Sequence, residues 1–277
     1  MEFNWIHTAY YAAGSKIGPL VRACRLDARF PYFLYLPKGT TPQNAPQCNL
    51  AVVVHGTYRD AERLKNGFAD FADRTDTIIL APLFPCGVVD RQDIHNYKFI
   101  RFHDIRFDEI VLDMVEDVRE SFGLRQEKFL LYGFSGGGQF AHRMFYLHPE
   151  RLRAAVIGAP GRATYLQEEL WPDGIANFEE IFGKEISFEK LKQVPVLLMV
   201  GSQDTEVIDY SADATASQKL SKLGNNRLER VRALKENYES HGISVKLIEV
   251  PGAAHEEDKM LKDAQEYLEA ILRTSNL

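Results

Sequence analysis

Ser135 stands in the middle of Gly133-Phe134-Ser135-Gly136-Gly137, a Gly-x-Ser-x-Gly spacing. The apolar run before it, Phe129 to Tyr132, predicts a buried strand; the pattern after it, Gln139 to Leu147, predicts a helix stopped by Pro149. Strand, tight glycine turn and helix together make the setting of a nucleophile elbow. Glycines two residues to either side of the serine let the turn close without a side chain striking the adjoining strand or helix. The serine is then expected in a strained conformation with its hydroxyl exposed, facing the first amides of the helix. Those amides stabilise negative charge. The same spacing also occurs in glycine-rich turns with an incidental serine. The strand and helix on either side favour the chemical reading.

Other chemistry-bearing residues follow predicted strands in the same way. Leu50 to Val54 is a short, continuous, β-branched run of the kind buried on both faces of a sheet, and His55-Gly56-Thr57-Tyr58 follows it. Pro195 to Val200 leads into Gly201-Ser202-Gln203-Asp204, and Val245 to Val250 into Pro251-Gly252-Ala253-Ala254-His255. Further strands are expected at Arg29 to Leu36, Thr77 to Ala81 and Leu152 to Gly158, with antiparallel pieces at Trp5 to Ala12 and Val21 to Leu26. Helices are expected at Ala61 to Arg74, at Phe107 to Phe122 with Gly123 as its stop, in a segment ending near Ser240, and at Met260 to Arg273. Buried strands alternating with helices predict an α/β fold: a mostly parallel twisted sheet with helices on both faces, as one domain over 1–277. In such sheets ligands bind outside the carboxyl ends of the strands, where Ser135, Asp204, His255 and the His55 loop all fall.

Two stretches break the alternation. The long polar and aromatic run from Pro82 to Phe107 reads as a functional loop. Residues 161–193, with Tyr165, Leu170, Trp171, Phe178, Phe182 and Phe188 among acidic residues, read as a short cap or lid. A polar piece runs from Ser211 to Asn226.

Composition narrows the function classes. A net charge of −6 argues against a sequence-blind nucleic-acid binder, which needs a basic face. No apolar run is long enough to span a membrane. The first residues, Met1 to His7, lack a basic segment followed by an apolar one. The three scattered cysteines, Cys24, Cys48 and Cys86, suit neither a disulfide framework nor a zinc site. A cytoplasmic protein with free thiols is the expectation, with no metal and no cofactor.

Taken together, the Ser135 elbow, His55-Gly56, Asp204 and His255 resemble the α/β-hydrolase superfamily, whose triad runs in the order Ser, Asp, His. The likeness covers almost the whole chain. Within it, Leu50 to Tyr58 and Gly133 to Gln139 are most similar to esterases related to polyhydroxybutyrate depolymerases and feruloyl esterases. Thr57-Tyr58 after His55-Gly56 departs from the lipase loop, where further glycines follow, so bulky tertiary-alcohol esters are not expected substrates.

The resemblance implies roles. Ser135 is the nucleophile and His255 the base that activates it; Asp204 orients His255, with Glu206 and Asp209 as rivals. The oxyanion hole is expected from the backbone amides of Gly136 and Thr57, with Tyr58 as the alternative to Thr57. Tyr58, Phe134, Arg101, His103 and Trp171 are candidate substrate contacts. Arg101 to Arg106 reads slightly more readily as a solvated loop than as a binding wall for a polar or anionic substrate, and the aromatics of 161–193 equally as lid core or acyl-pocket lining. The expected activity is that of a serine carboxylesterase on a small-molecule or oligomeric ester, through an acyl-enzyme. A peptidase or amidase with the same triad, or a hydrolase-fold receptor that barely turns over, remain open readings.

Overall fold

A computed structural model describes residues 20–208 and 223–274. The strand expected at Trp5 to Ala12, the rival acid Asp209 and most of the polar piece Ser211 to Asn226 lie outside them. In chain order the regular elements begin with β1 (Leu20–Ala23), β2 (Pro31–Tyr35), β3 (Asn49–Val54), α1 (Ala61–Gly67), α2 (Ala69–Thr75) and β4 (Thr77–Pro82). Then come β5 (Arg101–Phe102), β6 (Ile105–Arg106), α3 (Phe107–Phe122), β7 (Phe129–Phe134), α4 (Gly136–Leu147) and β8 (Leu152–Gly158). The chain continues through α5 (Phe178–Phe182), α6 (Phe188–Leu191), β9 (Val196–Gly201), α7 (Arg227–Ser240), β10 (Val245–Val250) and α8 (Leu261–Thr274).

Eight strands form one sheet in the order β1-β2-β4-β3-β7-β8-β9-β10. β1, β2 and β4 pair antiparallel in succession; every other neighbouring pair is parallel. β3 lies between β4 and β7, so the chain builds outward from it in both directions. The point where the direction reverses, between β3 and β7, is where a crevice opens at the strand ends. The loops leaving those two strands carry His55-Gly56-Thr57 and Ser135. Val54 is paired with Gly133 in the register, which places the two loops side by side.

The apolar runs are buried because helices cover both faces. β4, β7 and β9 have no exposed residue. α1 and α2 pack with α8, where Gln265 donates to the Gly67 carbonyl at 2.9 Å. α4 lies along β3, β7 and β8, and meets α7 through Phe145, Tyr146 and Tyr238.

The expected single helix from Ala61 to Arg74 is two, broken at Phe68, whose ring is fully buried against Phe71 and Tyr132. Gly67 at the break lies close to α8: a Cβ there would come within 3.1 Å of Leu261 Cδ1. The elbow helix begins at Gly136, three residues before Gln139, because glycines carry no hydrophobic period. The run from Pro82 to Phe107 contains a 3₁₀ turn at Asn96–Phe99 and the β5–β6 hairpin.

Within 161–193, Tyr165, Leu166, Phe178 and Phe182 join the core, and α5 and α6 are its only helices among the described residues. The fully buried Arg143 of α4 ties this segment down, donating to Thr164 Oγ1 at 2.8 Å and to the Arg162 carbonyl at 3.1 Å.

Candidate active site

Ser135 occupies φ 55° and ψ −111°, a region that non-glycine residues rarely adopt. Such strain costs about 1–3 kcal/mol and is held by the surrounding structure. Here the Ser135 amide donates to the Gly158 carbonyl at 2.8 Å and its carbonyl accepts from Gln139 at 3.0 Å. The flanking glycines are required by close approach. A Cβ on Gly133 would lie 2.1 Å from the Gly137 carbonyl oxygen, and one on Gly137 would lie 2.0 Å from that of Val54.

Three side chains meet at the strand ends. His255 Nε2 is 2.9 Å from Ser135 Oγ, and His255 Nδ1 is 2.7 Å from Asp204 Oδ2. Asp204 is an acceptor in this pair, so Nδ1 carries the proton and Nε2 is free to accept one from the hydroxyl. Asp204 is 1 % exposed, and its other oxygen accepts from Arg227 at 3.1 Å. The His255 ring stacks on Phe134, with centroids 4.7 Å apart. An imidazole held in this way can draw the proton from a serine hydroxyl and return it to a leaving group.

The amides beside the serine are built with equal care. Among the described residues, neither the Gly136 nor the Thr57 N–H has an acceptor. The two lie close, since a Cβ on Gly136 would be 3.2 Å from the Thr57 nitrogen. The Gly56–Thr57 peptide is aimed by its other end: the Gly56 carbonyl accepts from the Arg59 amide at 3.1 Å and from His55 Nδ1 at 2.8 Å. A trans peptide then points the Thr57 N–H the opposite way. Arg59 also donates to the Thr57 carbonyl, and the Tyr97 hydroxyl donates to the His55 carbonyl at 2.9 Å.

His55 works here as a neutral strut. Its Nε2 accepts from the Phe84 amide at 3.1 Å while Nδ1 donates. Burial pulls its pKa down to about 4. His142 has the same arrangement, with Nδ1 facing the Gly138 carbonyl and Nε2 accepting from the Thr164 amide, and burial holds it well below its ordinary value. Both pKa values are depressed in the folded chain, so below pH about 6.5 the unfolded chain binds protons that the folded one refuses. Stability is therefore present above that pH and lost as pH falls toward 4. Each group costs about 1.4 kcal/mol per pH unit within its window. Urea unfolding at pH 6.5 and pH 5 should give a clearly lower midpoint at pH 5; an equal or higher midpoint would contradict the assignment.

A cavity of about 520 Å³ opens over Ser135, lined by Tyr58, Ile94, Phe134, Arg227, His255 and Glu257 among others. Burial raises the Glu257 pKa, opposed by hydrogen bonds from Arg63 and Tyr132. Tyr58 and Phe134 thus reach the cavity as expected candidates. Arg101, His103 and Trp171 are not in its lining. Arg101 instead donates to the Ile181 carbonyl, His103 lies against Phe102, and the Trp171 ring packs on Phe178 and Phe182. Glu206 is exposed.

Arg227, Arg59, Tyr97 and Lys98 had no signal in the sequence, because their positions follow from loop packing and not from any period. Among the described residues no group of three or more His, Cys, Asp or Glu side chains could hold a metal ion, and no helix is long and apolar enough to cross a membrane.

Sheet order, elbow and loop positions together decide the architecture. The chain has the α/β-hydrolase fold. Solved structures with the same fold include poly(aspartic acid) hydrolase-1 from Sphingomonas sp. KT-1, 22% identical over 86% of this chain and 92% of that one, with a TM-score of 0.70. The poly(3-hydroxybutyrate) depolymerase LpqC from Bordetella parapertussis is 22% identical over 94% of this chain and 91% of its own, with a TM-score of 0.73. An S-formylglutathione hydrolase from Agrobacterium tumefaciens is 13% identical, covering 88% and 89%, with a TM-score of 0.60. No family model and no curated protein matches the sequence. At these identities the likeness is one of fold, and function rests on the site.

Proposed function

We propose that the protein is a serine hydrolase that cleaves carboxylic esters through an acyl-enzyme. The observation that carries this reading is the chain of contacts from Asp204 through His255 to Ser135 Oγ, next to two amides that have no acceptor among the described residues. Ser135 Oγ attacks the ester carbonyl as His255 Nε2 takes its proton. The carbonyl oxygen, now negative, accepts from the Gly136 and Thr57 amides. Collapse of this intermediate breaks the bond to the alcohol, which leaves with the proton from His255. Water then attacks the acyl-enzyme by the same route and frees the acid and Ser135. Neighbours described as hydrolase, depolymerase and esterase support this chemistry. The exposed Tyr58 and Ile94 in the cavity lining, beside the charged Asp60, Arg63 and Asp258, support a substrate with an apolar portion. Residues 161–193 are proposed as a fixed cap, since Arg143 and the core aromatics hold them in place.

Turnover of p-nitrophenyl acetate and butyrate, with p-nitroanilides of the same acyl groups and a fluorophosphonate label alongside, tests the proposal. Ester turnover well above anilide turnover is expected. Comparable anilide cleavage would favour an amidase, and labelling without ester turnover a binding protein.

A further inference from the structure

Lys98 lies against Gly136, which supplies one of the two amides, and takes no part in the chemistry above. It is 2 % exposed, in the 3₁₀ turn Asn96–Phe99 that packs on α4. Its Cε is 2.9 Å from the point a Cβ on Gly136 would occupy. The amine is one bond further along, so it lies at most about 6 Å from the Gly136 Cα. Both ends of the residue are held. Arg143 donates to the Lys98 carbonyl at 2.6 Å, and Lys98 Nζ is 2.9 Å from His95 Nδ1. The acceptor of the amine is thus a ring nitrogen and not a carboxylate. Burying a cation in such a place is unfavourable on its own. The cost is offset when negative charge develops nearby, because the field of a buried charge is less screened than that of one in water.

We propose that Lys98, held by His95, is a positioning residue for the oxyanion: its buried positive charge stabilises the tetrahedral intermediate at Gly136 without touching it. The inference rests on Ser135 being the nucleophile. The groups that face the amine are His95 and Asp93 on its own loop, the neutral His55 and Arg59 after β3, Cys86 after β4 and Arg143 on α4. Burial is the largest influence and, with Arg59 and Arg143, pulls its pKa down to about 8 against the opposing pull of Asp93. The charge is therefore present at neutral pH and lost as pH rises through about 8, so the rate should fall on that side.

The test is kcat/KM for p-nitrophenyl acetate from pH 6 to 9.5, with buffer blanks subtracted, for the wild type, Ser135→Ala and Lys98→Met. The wild type should fall by roughly tenfold across pH 8 to a lower plateau. Lys98→Met should sit on that lower plateau at pH 7 and show no alkaline fall. Ser135→Ala should be inactive throughout. A Lys98→Met variant with the wild-type rate at pH 7 overturns the inference, whatever its alkaline limb. Should Met not be tolerated in folding, Lys98→Gln takes its place and is held to the same two outcomes. Residual activity in Ser135→Ala would sink the nucleophile itself, an outcome distinct from failure at Lys98.

Discussion

Ser135→Ala should lower kcat/KM for p-nitrophenyl esters by about 10⁴- to 10⁶-fold while leaving the fold intact. The size follows from what is removed. The hydroxyl is the atom that would form the acyl bond, and among the described residues no other nucleophilic side chain is hydrogen-bonded to His255. What would remain are the two amides proposed to bind the oxyanion and the cavity, which by themselves give only modest catalysis. The fold should survive because the strained turn is held by the backbone. The Ser135 amide bonds to Gly158 and its carbonyl accepts from Gln139, and both persist with alanine. Alanine also has no greater difficulty than serine at φ 55°. The thermal midpoint should therefore stay close to that of the wild type. Activity within tenfold of the wild type in a folded variant would remove Ser135 from the mechanism.

Asp204→Asn should lower kcat by about 10³- to 10⁴-fold with KM little changed. The surroundings of Asp204 make this sharper than a simple loss of charge. One of its oxygens accepts from Arg227 and the other faces His255 Nδ1. Arg227 can only donate, so it keeps the oxygen of the new amide and leaves the NH₂ toward His255. His255 Nδ1 must then accept, its proton moves to Nε2, and the nitrogen facing Ser135 can no longer take a proton. Glu206→Gln is the matched control: Glu206 is exposed, and its loss should cost little. Steady-state kinetics of both variants on one ester decide the point. If Glu206→Gln is the crippled enzyme, the acid has been misassigned; if neither variant is impaired, it comes from elsewhere in the chain.

The sequence carried the fold wherever burial imposes a period. Leu50 to Val54, Phe129 to Tyr132 and Pro195 to Val200 are apolar runs whose strands appear almost where expected. α3 carries its apolar stripe and stops at Gly123 in the left-handed region, φ 63°. Where no period exists the reading was poorer. The break at Phe68 depends on the approach of α8, a contact between residues far apart in the chain. The β5–β6 hairpin is only two residues per strand, too short to leave an alternating signal.

The same division holds for the site. Ser135, Asp204 and His255 could be singled out because each follows an expected strand, and the glycines around Ser135 record how closely helix and strands approach. The order of the strands in the sheet, and hence the meeting of those loops, is decided only by tertiary packing. So is the choice of which charged residues face the cavity: Arg101 and His103 form a dense charge cluster in the sequence, yet do not line it. Arg227 and Lys98 look like ordinary surface cations in the sequence. Packing turns one toward the buried Asp204 and seals the other behind Gly136. A side chain's type and its neighbours along the chain determine what it can do. Burial and the neighbours brought from other elements decide whether it does so, because they set its charge state, its hydrogen-bond partners and the direction in which it points.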